Sequence, residues 1–158
     1  MTSNDSSASL QRLADTGRLK AEPAADAEIA GLLGVAATSL ADARRPGLSV
    51  QGKFQLAYGA AHALALAALR AQGWRPARGE GHRAVVFQVL PHTADAPPEL
   101  WVPLDKAHRK RNDLEYNAVA AFSKGEADTL LELAVTLQAR VRDVFKREHP
   151  NALKDDHA

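Results

Sequence analysis

Cysteine is absent from the chain, which excludes disulfide staples and thiolate chemistry and is compatible with a reducing cytosol. Aromatic residues are only 5% of the sequence, so the core has to be assembled mainly from leucine and alanine. Neither sign of charge dominates. Twenty Lys and Arg stand against 19 acids, and a net charge of +1 gives no global pull toward nucleic acid. Long hydrophobic runs are missing too. The Ala/Leu-rich stretch around residues 60–69 is much shorter than a membrane span and lies between polar helical faces. The first 20 residues contain no apolar segment of the secretory type, so a soluble, cytoplasmic protein is expected. Gly79-Glu80-Gly81 lacks the following Lys-Ser/Thr of a phosphate loop, and no repeat at solenoid spacing appears.

What is present is helical periodicity punctuated by Gly and Pro. Its 158 residues suit one domain with one core. Ile29, Leu32, Leu33, Ala36, Leu40 and Ala43 predict a helix over residues 26–43, stopped by Pro46-Gly47. Ser49 is the expected N-cap of a second helix running to about Gln72, with Gly73 as its terminator. Pro97-Pro98-Glu99 opens a third, and Ser123 with Glu126 is a capping-box signature for a fourth ending near His149. Residues 84–90 are β-rich in composition but have no visible strand partner, and so are read as a short helix. Met1 to Ala8 is read as disordered, and a short helix around Leu10 and Leu13 ends near Gly17. The expected organisation is a polar arm over 1–22, a helical bundle over 23–148 and a disordered tail over 149–158.

The chemistry concentrates in Asp105–Tyr116. Apolar positions Leu100, Leu104, Ala107, Leu114 and Ala118 follow helical spacing with one gap, and Arg111 fills it. A guanidinium on a core-facing strip needs a reason, either an anionic ligand or a carboxylate such as Glu115 one turn on. Asn112 and Tyr116 follow in line with Arg109 and, less closely, His108. Lys106 and Lys110 read as a solvated charged face or a phosphate-facing patch. His62, His82, His92 and His108 invite a metal, but no pair among them has the i, i+4 spacing of a helical zinc site, so neither metal nor cofactor is expected.

Three blocks together resemble the HEPN families, small helical bundles named for higher eukaryotes and prokaryotes nucleotide-binding. They are Phe54–His62 leading to Ala68–Arg75, then Phe87–Thr93, then Arg109–Tyr116. The resemblance covers about residues 25–146. It implies an all-α, antiparallel four-to-five-helix bundle with a short N-terminal helical arm, and a homodimer whose paired motifs meet. In ribonuclease members an Arg is followed a few residues later by a His, giving a metal-independent RNA-cutting site. Arg111-Asn112 matches the opening of that motif, whereas Tyr116, Asn117 and Ala118 stand where the His belongs.

The resemblance therefore implies RNA or nucleotide binding through Arg109, Arg111, Asn112 and Tyr116, in a toxin–antitoxin or stress-defence setting with a nucleotidyltransferase-like partner. The enzymatic alternative is a ribonuclease using Arg109 or Arg111 with Tyr116 or an out-of-motif His108. A third reading is an interaction module whose polar seam sets the dimer register.

Overall fold

The fold is assembled around the helix that begins after Ser49. That side chain accepts a hydrogen bond from the Gly52 N–H at 2.9 Å, as expected of an N-cap, and helix α3 (Val50–Ala71) follows. The computed structural model describes residues 3–78, 82–116 and 122–154, with side chains for 5–78, 83–113 and 122–154. Before α3 come α1 (Ser3–Asp15), strand β1 (Leu19–Ala21) and α2 (Asp26–Ala43). After it come strand β2 (Trp74–Pro76), α4 (His82–Gln88), α5 (Leu90–Thr93), α6 (Pro98–Tyr116), α7 (Lys124–Glu148) and a 3-10 turn, Pro150–Leu153. The protein is a helical bundle with one very small sheet among its described residues.

Alanine explains why α3 can be central. Ala57, Ala60, Ala61, Ala63, Ala65, Ala67 and Ala68 are all buried along it, and small side chains let several helices approach one axis closely. α2, α4, α5, α6, α7 and β2 all touch it. Leu64 and Leu69 are fully buried, each contributing about 2 kcal/mol by the usual scale for a buried leucine. From α7, Leu130, Ala134, Leu137, Val141 and Phe145 form the facing stripe, and the Ser123–Glu126 capping box starts that helix as its spacing predicts.

The segment over 84–90 is helical, split between α4 and α5. Just past the Gly73 terminator, residues 74–76 form β2, which pairs antiparallel with β1, with Leu19 opposite Pro76 and Ala21 opposite Trp74. Two expectations need correction. Ser3–Ala8, expected as disordered, forms the first half of α1, and Leu10 anchors that helix at 1% exposure. Pro150–Leu153, expected within a disordered tail, turns back so that Ala152 is fully buried.

Arg70 holds these peripheral pieces together. It is 6% exposed, near the end of α3, just before Gly73 takes φ +84° and reverses the chain. Its Nε donates to Glu28 Oε2 at 2.8 Å and its Nη1 to the carbonyls of Glu22 (2.8 Å) and Trp74 (3.1 Å). Its Nη2 reaches the Pro23 carbonyl at 3.3 Å and the Glu22 carboxylate at 3.3 Å. One guanidinium thus joins the β1–α2 connection to the α3–β2 turn.

Candidate functional site at the α3–α6 seam

Helix α6 turns Leu100 and Leu104 into the core, and the same strip continues one turn further as His108. His108 is 3% exposed. A buried imidazole is costly unless its nitrogens are hydrogen-bonded, and both are. Nδ1 lies 2.8 Å from the Tyr58 hydroxyl on α3, and Nε2 lies 3.2 Å from Asn112 Nδ2 one turn along α6. With the amide nitrogen of Asn112 as donor, Nε2 accepts, which leaves the proton on Nδ1 to be donated to the Tyr58 oxygen.

Arg111 lies on the next turn. Its guanidinium carbon sits 4.8 Å from the centroid of the Tyr58 ring, a cation–π arrangement at a half-buried position. The Tyr58 ring is hemmed in by Phe87 of α4 at 6.0 Å, by His108 at 6.0 Å and by His62, one turn along α3, at 6.2 Å. His62 in turn meets Phe87 edge-on at 6.1 Å. Tyr58, His62, His108, Arg111 and Asn112 therefore form one cluster across two helices, closed from the side by Phe87.

The site expectations separate on this geometry. Arg111 does occupy the inward strip of α6, and an aromatic face on α3 receives it. The Glu115 and Tyr116 side chains lie outside the described residues, so the expected Arg111–Glu115 pair does too; the Tyr116 backbone ends α6, one turn past Asn112. His108 departs from its expected place: it sits deep in the seam, whereas a group acting on RNA would need to reach the ligand. Asn112 spends its amide on His108. Arg109 is exposed and paired with Asp105 at 3.5 Å, apart from the cluster.

Lys110 and Lys106 face a different feature, a groove of about 520 Å3 between α6 and the start of α7 lined also by Phe54, Pro103, Glu126 and Leu130. Lys110 is tied there to Glu126 at 2.5 Å and lies over the Phe122 ring. The hydrogen bond from Lys110 is the main reason the Glu126 carboxyl sits below its ordinary range. Of the four basic residues in 105–113, Arg109 and Lys110 are thus internally neutralised. Among the described residues no three His, Asp or Glu side chains come together as a metal cluster.

The sequence pattern does not single out Tyr58 as a site residue, and it offers His62 only as a candidate metal ligand. The available signal was a Tyr and a His four residues apart inside a helix otherwise made of Ala and Leu. Comparison with protein-family models, curated proteins and solved structures returns no match to this chain.

Proposed function

We propose that the protein is a HEPN-like helical module that binds RNA or a nucleotide through Arg111, and that it binds without cutting. One observation carries this reading: a guanidinium is held half-buried over an aromatic ring, beside a hydrogen-bonded His–Asn pair, on the motif that resembles the family's. Stacking uses the flat face of the guanidinium, while phosphate recognition uses its N–H edge, so the two are compatible.

Binding is preferred to ribonuclease chemistry because His108 is an unsuitable acid or base. It is 3% exposed with both nitrogens engaged, and a general base has to reach the 2′-hydroxyl directly or through one water. Tyr116, with an ordinary pKa near ~10, is a poor base at neutral pH. The same reading includes a homodimer through α6, where Val102 is 41% exposed, a cytoplasmic location, and a toxin–antitoxin or stress-defence setting with a nucleotidyltransferase-like partner.

The test is a titration with single-stranded RNA and with AMP at two salt concentrations. Affinity should fall with salt, and Arg111→Ala should weaken it by about 1–3 kcal/mol. Metal-independent cleavage of the RNA, abolished by Tyr116→Phe, would replace this reading with the ribonuclease. Absence of any binding would leave the interaction module.

A further inference from the structure

The motif that resembles the family lies wholly on α6, yet two of its neighbouring side chains are held by one residue of α3. We propose that Tyr58 is a positioning residue: its ring is the platform that orders Arg111 before an anionic ligand arrives, and its hydroxyl, through His108, fixes how α6 lies against α3. This rests on Arg111 being the ligand residue.

Packing alone does not call for a tyrosine here. At 3% exposure a phenylalanine would fill the same space, and a buried hydroxyl is unfavourable unless it is hydrogen-bonded. The hydroxyl instead lies 2.8 Å from His108 Nδ1, and His108 is 3.2 Å from Asn112. Residues 108, 111 and 112 fall within about one turn of α6, so a single α3 side chain orders that turn from below. The ring itself is confined, with Phe87 tilted at 50° beside it. A platform that cannot swing holds its partner in one place.

The consequence for binding is entropic. Arginine has a long side chain with many rotamers, and ordering it at the moment of association weakens affinity. Stacked on Tyr58, Arg111 carries that ordering in the folded protein. The in-plane N–H edge is where phosphate oxygens approach, so platform and ligand use different parts of one group.

A double-mutant cycle reads this directly. The probe is a labelled single-stranded oligouridylate followed by fluorescence anisotropy at fixed salt, with a thermal melt of each variant. Tyr58→Leu removes ring and hydroxyl, and should weaken binding by about tenfold. Tyr58→Phe keeps the ring, and should lose less. Arg111→Lys keeps the charge but not the stackable plane, and should resemble Tyr58→Leu. The double variant Tyr58→Leu with Arg111→Ala should lose clearly less than the sum of the two single losses, because the Tyr58 ring acts through Arg111. Losses that simply add would overturn the positioning role, as would a wild-type affinity in Tyr58→Leu. If Tyr58→Leu does not fold, Arg111→Lys decides, and undiminished affinity there sinks the proposal. Wild type failing to bind the oligouridylate would remove the binding role of Arg111 and this inference together. Wild type binding with an indifferent Tyr58→Leu removes this inference alone.

Discussion

Replacing Arg70 by alanine should destabilise the protein more than any other single charge removal among the described residues. The side chain is 6% exposed and its donors serve three carbonyls and two carboxylates. Breaking a buried, hydrogen-bonded ion pair costs about 3–5 kcal/mol when the remaining partner is stranded. Here the two carboxylates are not stranded. Glu22 and Glu28 have side chains 50% and 49% exposed, so water replaces the guanidinium on them, and the cost falls at the low end, about 3 kcal/mol. What remains is the loss of donors to the carbonyls of Glu22, Pro23 and Trp74, which close the β1–α2 and α3–β2 connections. For a chain of this size about 3 kcal/mol lowers the melting temperature by roughly 6–12 °C. Arg70→Lys keeps a point charge near Glu28 but loses the fork, and should fall about halfway. Arg75→Ala removes a pair with the half-exposed Glu22 carboxylate, at 3.4 Å, and a hydrogen bond to the adjacent Pro76 carbonyl, at 3.2 Å, and should cost no more than about 1 kcal/mol. The assay is thermal melting of the three variants beside wild type, with urea unfolding to check that the m-value is unchanged. Arg70→Ala melting within about 2 °C of wild type, or no lower than Arg75→Ala, would refute the argument that one guanidinium closes both connections.

Leu10→Ala should cost about 2–4 kcal/mol, since Leu10 is 1% exposed, whereas a truly disordered arm would show no change in a urea titration. Acid should weaken the fold in two stages. His92 is held below its ordinary 6.5 by burial first and by Arg12 second, so the unfolded chain takes up the proton more readily and stability falls as pH drops below 6.5. Glu126 and Asp128 are held below 4.5 and 3.8, chiefly by hydrogen bonds from Lys110 and Lys53; their contribution is full above those values and fades as pH falls beneath them. Melting temperatures between pH 8 and 3 should show both declines, and His92→Gln should remove the upper one; a flat profile from pH 8 to 5 would contradict the first assignment.

The long helices were legible because each combines a sustained apolar period with a physical stop. Ser49, Gly73, Ser123 and Pro98 act locally, and the side chains that read as caps and breakers are the ones that cap and break. The two strands were not legible for an equally physical reason. Each has three residues, one of them includes Pro76, and their pairing joins segments more than fifty residues apart. A three-residue strand has no period to detect, and the groups that hold its ends, Arg70 on the Glu22 and Trp74 carbonyls, lie elsewhere in the chain. The N-terminal serines misled in a similar way: their composition reads as solvated chain, but Leu10 lies inside the core.

The seam was half legible. Arg111 stood out because a gap in a 3.6-residue period marks one residue against its neighbours, and the structure puts an aromatic ring beneath it. His108 was placed off the core strip because periodicity assigns faces from apolarity, and histidine counts as polar. A polar side chain enters a core when another element brings it a partner, and the Tyr58 hydroxyl is that partner, fifty residues earlier on α3. The pattern along one helix contains no information about the partner waiting on another. Tyr58 was invisible for the converse reason: among Phe54, Ala57 and Ala61 an aromatic residue reads as packing, and its hydroxyl gains meaning only once α6 is laid against it. A site made of residues from two helices is therefore readable from one of them only as an anomaly. Arg111 is that anomaly, and Tyr58 accounts for it.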